Sequence, residues 1–271
     1  MSAHDVTATL RYLVPTGEKP IYIASQGGAD AALDIGAEFE DHQVAIHDAR
    51  QLPIPASLDH QGFTLVSHKT AVRDFYSQDF DKPAYEAEIR ELVLSASGGS
   101  EVFVFDHTLR SDSPAIRGER TTREPASVIH NDYTDASARK RLRDLLEPEQ
   151  ADLRLQKRFA IINVWRSVRG TVWNSPLTCC DAGSLSENDL IPSERRAQER
   201  IGELELVSWN PVHRWYYYPR MTMDEALLIK TFDSARVGAR RSIHSAFDNP
   251  LAPADAPPRE SMESRMLVFY D

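Results

Sequence analysis

Only two of the 271 residues are cysteine, and they are neighbours, Cys179 and Cys180. No disulfide can therefore staple distant parts of the chain, and no paired-cysteine zinc spacing exists. Both read as small buried residues in a reducing compartment rather than as a redox pair. No apolar run approaches the ~20 residues of a membrane span, and Met1-Ser2-Ala3-His4-Asp5 lacks the basic-then-apolar pattern of a secretory leader, so a cytoplasmic protein without a membrane partner is expected. Positive charge is also short. Against 41 acidic residues stand 31 Lys and Arg, a net −10, which argues against a nucleic-acid partner because phosphate binding relies on concentrated Lys and Arg. There is no internal repeat, no low-complexity tract and no break that marks a second domain. With 41% hydrophobic residues the chain can bury one sizeable core, and residues 1–271 are expected to form a single domain.

What is present is mostly β-type. Val6-Thr7-Ala8-Thr9-Leu10, Pro20-Ile21-Tyr22-Ile23 and Gln43-Val44-Ala45-Ile46 are short strand-like runs. Asp81 followed by Lys82-Pro83 caps a helix whose Tyr85, Ile89, Leu92 and Val93 share one face, and Gly98-Gly99 ends it. Glu101 to Asp106 alternates with period two. These elements make residues 1–110 a lead-in, and residues 111–271 hold most of the remaining core. Asp112 to Pro125 is polar, with Pro114 and Gly118, and reads as an exposed loop. Thr134 or Asp135 caps a second helix through Ala138, Leu142, Leu145 and Leu146, closed by Pro148. Its Arg139, Lys140, Arg141 and Arg143 face water, or else form a rim that attracts an anion. Ala160–Trp165, Leu204–Val207, Trp215–Tyr218 and Ala226–Ile229 are strand-length runs with no long helix between them, which favours a sandwich or barrel over a parallel α/β sheet.

One stretch carries chemistry. Of nine histidines, only His130 has a carboxylate two residues downstream, in His130-Asn131-Asp132. On an extended strand these two side chains point the same way and can offer an imidazole and a carboxylate to one metal ion. His244 is the best third ligand, which completes a two-histidine, one-carboxylate facial set with three open positions on Fe(II). His213, in Pro211-Val212-His213-Arg214-Trp215, is its main competitor. Fifteen residues after His244 comes Arg259-Glu260-Ser261, an Arg-x-Ser able to grip the remote carboxylate of a 2-oxo acid with two parallel hydrogen bonds and a hydroxyl. His213 has no such partner at short range downstream. Arg259, Ser261, Glu263 and Arg265 share one face of the closing strand, so Arg265 is a second anchor candidate, although either arginine can instead pair with Glu263 or a surface acid.

The order of His-x-Asp, a later His and an Arg-x-Ser matches Fe(II)/2-oxoglutarate oxygenases. The chain more narrowly resembles the hydroxylase/desaturase family of secondary-metabolite clusters, which includes a component associated with cephamycin 7α-methoxylation and a fungal endoperoxide-forming oxygenase. The resemblance rests on Val128–Thr134, Asn163-Val164-Trp165-Arg166, Ser175-Pro176-Leu177 with Cys180-Asp181-Ala182, and His213–Tyr217. It continues through Leu227–Lys230, His244–Asp248 and Pro257–Ser261, and so covers nearly the whole chain. It implies a mainly β protein with flanking helices and a double-stranded β-helix (jelly-roll, cupin-like) core, using Fe(II), with 2-oxoglutarate and O2 as cosubstrates. The activity expected is hydroxylation, desaturation or a related oxidation of a small, secondary metabolite. The alternative is a non-oxidative metal-dependent β-barrel enzyme or a ligand-binding module.

Around this centre, Asn163 is placed as a polar contact to the cosubstrate. Tyr133, Trp165, His213, Trp215 and Tyr217 are expected to line the substrate pocket, each with core packing as the competing role. Oligomeric state is open, a homodimer included.

Overall fold

The computed structural model describes residues 2–197 and 200–271. It begins with β1 (Val6–Leu13), β2 (Ile21–Ile23), β3 (Asp34–Gly36), β4 (Phe39–Asp48) and β5 (Phe63–Ser67), followed by α1 (Lys82–Ser97). Then come β6 (Glu101–Ser111), α2 (Pro114–Arg120), β7 (His130–Asn131), α3 (Asp135–Leu145) and α4 (Pro148–Leu155). The remainder is mainly strand, with two short 3-10 turns (Ala182–Ser184 and Glu187–Asp189): β8 (Phe159–Ser167), β9 (Leu177–Cys180), β10 (Leu190–Ala197), β11 (Arg200–Val207), β12 (Trp215–Tyr217), β13 (Glu225–Asp233), β14 (His244–Ala246) and β15 (Glu260–Phe269).

Two sheets result. One runs β5-β13-β8-β15-β6, and the other β1-β4-β12-β9-β14-β7-β11-β10-β2-β3. Leaving aside the β10–β11 hairpin, the eight strands β6 to β9 and β12 to β15 order as 6-15-8-13 in one sheet and 7-14-9-12 in the other. In strand count that is 1-8-3-6 facing 2-7-4-5, the connectivity of a jelly roll, so the expected double-stranded β-helix is present. The first strand of this core is β6, so the core starts at Glu101, inside the segment read as lead-in. Strands β1 and β4 extend the larger sheet beyond β12 and curl it until Leu13 bridges Ser208. That closure encloses Leu10, Tyr12, Ile46, Trp215 and Tyr217 as a core of their own.

Between the facing sheets lies a different core, with Phe63, Trp165, Leu177, Cys179, Leu227, Ile229 and Ala246. Helix α1 covers the outer face of the smaller sheet, packing Tyr85, Ile89 and Val93 on Ile162, Val164, Met266 and Val268. Its ends follow the sequence: Asp81 Oδ1 accepts from the Ala84 amide at 3.0 Å, and Gly98 takes the left-handed conformation at φ 68° that a Cβ disfavours.

Two local expectations are corrected. Residues 112–125 are no exposed loop: Ser113 caps α2, and Arg117 is buried, donating to the carbonyls of Gly28, Ala29, Ser111 and Asp112. Two of these acceptors, Gly28 and Ala29, lie about 88 residues away, so nothing in the local composition announces them. Pro148 does not close a helix but opens α4 near its first position, where the missing amide proton costs nothing.

Thr134 sits two residues after Asp132 and caps α3 through a reciprocal box with Ser137. This fixes the chain as it leaves β7. Thr134→Ala is expected to cost about 1 kcal/mol, read as a lowered denaturant midpoint with an unchanged slope. An unaltered midpoint would show that the box does not anchor this corner.

Candidate metal and cosubstrate site

Register brings the first two elements of the site together. His130 on β7 pairs directly with His244 on β14, and His244 pairs with Cys179 on β9. Directly opposed residues point to the same face, which here is the face turned toward the smaller sheet. The two imidazole centroids are 4.5 Å apart, and Asp132 Oδ1 lies 3.8 Å from His130 Nε2. One ligand atom from each of His130, Asp132 and His244 falls within 4.8 Å of the others.

Both imidazoles are oriented in the same way. His130 Nδ1 lies 2.8 Å from the Val128 carbonyl, and His244 Nδ1 lies 3.2 Å from the Ser242 carbonyl. A carbonyl only accepts, so each Nδ1 carries the proton and each Nε2 is left as a lone pair. Burial, reinforced by the neighbouring His244, pulls His130 down to about 3, so the ring is neutral as a ligand must be. Burial alone would raise Asp132. The Arg265 guanidinium and the two histidines outweigh it and hold the carboxyl well below the usual carboxylate range. Asp132 Oδ2 accepts from Asn163 Nδ2 at 2.7 Å and from Arg265 Nε at 3.1 Å.

The cosubstrate candidates divide accordingly. Asn163 and Arg265 oppose each other on β8 and β15 and turn toward Asp132. Arg265 also donates to Asp106 Oδ2 at 2.7 Å and Thr108 Oγ1 at 3.2 Å, and it ion-pairs with Glu263. Its donors are thus occupied by protein carboxylates. Arg259 differs. Only 2% exposed, its guanidinium donates from Nε to Ser261 Oγ at 3.1 Å and from Nη1 to the Ser175 carbonyl at 2.5 Å, while Nη2 is buried with no hydrogen-bond partner. Burial, with Arg110 nearby, pulls it down to about 9. The Trp165 ring lies 5.2 Å from the guanidinium carbon, and its Nε1 is likewise buried without a partner.

The aromatic residues expected in the pocket are not all on the site face. Trp165 is, buried between the facing sheets beside Arg259. Trp215 and Tyr217 are not: on β12 it is Tyr216 that opposes Cys179 on the site face, so its two neighbours point the other way into the core closed by β1 and β4. Trp215 Nε1 donates to Tyr12, and Tyr217 donates to the His4 carbonyl. His213 sits in that core too, with Nε2 3.0 Å from Asp189 Oδ2 and Nδ1 3.3 Å from the Tyr12 hydroxyl, and so is satisfied far from a metal role. Tyr133 packs under α3 with Ala138, Leu142 and Phe232.

Sequence reading also missed the support between the candidate ligands. Asn131 donates to Glu205 Oε2 at 2.8 Å, and Arg241 donates to Glu205 Oε1 at 2.6 Å. One carboxylate on β11 thereby ties the His130 strand to the segment leading into His244.

A family profile described as "Oxidoreductase/YMDC permease-like domain" matches residues 10–269. The chain is 34% identical over 242 residues to the Fe(II)/2-oxoglutarate-dependent dioxygenase nvfI of Aspergillus novofumigatus, covering 84% of this chain and 83% of that protein. It is 32% identical over 258 residues to the hydroxylase/desaturase efuI of Hormonema carpetanum, covering 86% and 85%. It belongs to the family of Fe(II)/2-oxoglutarate-dependent hydroxylases and desaturases. Among solved structures, the iron and alpha-ketoglutarate-dependent endoperoxidase NvfI aligns over 99% of both chains with a TM-score of 0.85 at 28% identity. This dioxygenase therefore uses Fe(II), with 2-oxoglutarate and O2 as cosubstrates, and the non-oxidative alternative is not favoured. The word permease has no counterpart in its helices: among the described residues, none is long and apolar enough to cross a membrane.

Arg265→Ala in this dioxygenase leaves Asp132, Asp106 and Glu263 facing one another without a cation. Breaking such a buried cluster is expected to cost about 3–5 kcal/mol, a fall in melting temperature of roughly 6–20 °C. Metal affinity should drop about 10–100-fold, as for loss of an outer partner of a ligand. Calorimetry and metal titration check both, and wild-type values in each would show that Arg265 does not hold Asp132.

Proposed function

We propose that His130, Asp132 and His244 are the iron ligands, that Arg259 with Ser261 receives the far carboxylate of 2-oxoglutarate, and that the substrate is a small secondary metabolite that is hydroxylated or desaturated. The observation that carries this reading is the buried, partnerless Nη2 of Arg259. A guanidinium so deeply buried is costly without an anion, and no carboxylate of the described residues pairs with it. A bound dicarboxylate supplies what is missing, and Ser261 Oγ, which accepts from Nε, retains its own proton to donate.

When bound, Fe(II), 2-oxoglutarate and O2 supply an oxidant able to remove hydrogen from an unactivated carbon. The chain's own residues do the rest. Val128 and Ser242 aim the imidazoles, while Asn163 and Arg265 keep Asp132 charged and fixed; Trp165 walls the guanidinium and offers a free indole N–H. This reading reassigns Asn163 and Arg265 from the cosubstrate to the ligand Asp132. A cavity of about 660 Å³ reaches the same neighbourhood, lined by Asp112 and Ser175, which hold Arg259, and by Ala246 and Phe247, just beyond His244. That volume suits a small metabolite. The reading treats residues 1–271 as one catalytic unit acting on a free small molecule rather than on nucleic acid, in a reducing cytoplasm that suits the buried free thiols Cys179 and Cys180.

The test is oxygen uptake and succinate release with Fe(II) and 2-oxoglutarate while candidate metabolites are added. A metabolite that stimulates both and gains a hydroxyl or a double bond supports the reading. Iron-loaded, folded protein that consumes no 2-oxoglutarate with any of them contradicts it.

A further inference from the structure

A second, much smaller cavity touches the metal-facing residues. It has a volume of about 20 Å³ and reaches His130 and Asp132, room for about one water-sized group. Its walls carry four arginines. Arg195 stands on β10, opposite Gly202 of β11 and beside Tyr22 of β2, while Arg110 on β6 bridges Arg123. Arg265 is the fourth, and it is neutralised by Asp132, Asp106 and Glu263.

The other three are not neutralised. Arg110 donates to the Glu124 backbone carbonyl at 2.7 Å. Among the described residues, none of Arg110, Arg123 and Arg195 has a carboxylate within 4.0 Å. Glu124 is the one further acid in the wall; its Oε2 is buried without a partner. In the wall itself four guanidiniums meet two carboxylates, Asp132 and Glu124, while Asp106 and Glu263, which also bind Arg265, stand behind it. Burial first, and the neighbouring arginines after it, pull both Arg123 and Arg195 down, against the opposing pull of Asp106 on Arg123 and of Asp132 on Arg195.

We propose that this cavity seats an anionic oxygen of the substrate itself, which makes the substrate a carboxylate-bearing metabolite held by Arg123 and Arg195 with its reactive carbon turned toward the metal. The proposal rests on the metal and cosubstrate assignment above. Arg259, beside Trp165 and Ser175, does not line this cavity, while Arg110, which does, stands near it, so the substrate anion and the cosubstrate carboxylate would take neighbouring seats. The volume excludes a ring or chain and leaves room only for a small polar tip. Guanidinium groups grip carboxylates with paired donors, and only the tip of the substrate needs to enter.

The probe is acetate, with acetamide as its uncharged isostere, added without oxygen to protein loaded with Fe(II) and 2-oxoglutarate. The visible chromophore of that loaded protein is recorded first, so failure of the cosubstrate assignment shows before any probe is added. Acetate methyl protons are then expected to broaden saturably in the proton NMR spectrum from proximity to the paramagnetic centre, and acetamide to broaden at least tenfold less at equal concentration. Arg123→Gln and Arg195→Gln should each weaken acetate about ten- to a hundred-fold, with the 2-oxoglutarate titration of the chromophore unchanged, and Arg195→Lys should recover part. Three results overturn the proposal: equal broadening by acetate and acetamide, acetate binding untouched in both glutamine variants, or a raised 2-oxoglutarate requirement in them, which would give the cavity to the cosubstrate. Should either variant fail to fold, the comparison of acetate with acetamide on the wild-type protein still decides.

Discussion

His130→Ala, Asp132→Ala and His244→Ala are each expected to abolish iron-dependent turnover while the circular dichroism spectrum stays that of the folded chain. The three groups converge within 4.8 Å on a centre built from two strands and the turn after one of them. A facial set has no spare ligand, so losing one should weaken iron by more than the about 10–100-fold that an outer partner is worth. Asp132→Ala leaves Arg265 with Asp106 and Glu263, so its cation stays compensated and the fold survives. His213→Ala is the control. It should bind iron as the wild type does and lose only stability, because Asp189 retains Asn210 as a donor. Equilibrium dialysis with Fe(II) reads both, and an iron-binding His244→Ala beside an iron-free His213→Ala would reverse the choice of third ligand.

The second large effect concerns Arg259. Its replacement by Ala should raise the 2-oxoglutarate requirement about ten- to a hundred-fold, since hydrogen bonds to charged groups are worth about 1.5–3 kcal/mol. Iron affinity should barely change. Lys should rescue only in part, because an ammonium cannot reproduce the flat two-pronged contact or lie against Trp165 in the same way. Ser261→Ala should do less, about 0.5–1.5 kcal/mol. Titrating 2-oxoglutarate against succinate release in each variant separates them. An Arg259→Ala enzyme with an unaltered titration, beside an Arg265→Ala enzyme blind to 2-oxoglutarate, would move the anchor to Arg265.

Local periodicity made the centre legible. Two residues apart on an extended chain means one face, which brings His130 near Asp132, just past the end of β7, and Arg259, just before β15, near Ser261, with Glu263 and Arg265 further along. What was not legible depends on partners far along the chain. Glu205 meets Asn131 across 74 residues and Arg241 across 36. Which face of Trp215-Tyr216-Tyr217 meets the site is set by the register of β12 on β9, and the sequence alternation is the same for either choice. The polar run from Asp112 to Pro125 looks like a solvated loop because its arginines are many. In the fold Arg117 is buried against backbone carbonyls and Arg123 faces the small cavity, so their charge is spent inward. A cation-rich segment and a cation-rich cavity wall have the same composition.

The most direct test of the whole assignment is the anaerobic visible spectrum of the protein titrated with Fe(II) in the presence of 2-oxoglutarate. The wild type should develop the metal-to-cosubstrate absorption at one equivalent of iron, His130→Ala and His244→Ala should develop none, and Arg259→Ala should reach the wild-type intensity only at about ten- to a hundred-fold more 2-oxoglutarate. Wild-type protein that binds iron yet shows no band at any 2-oxoglutarate concentration, or a His244→Ala variant with the full band, would contradict it.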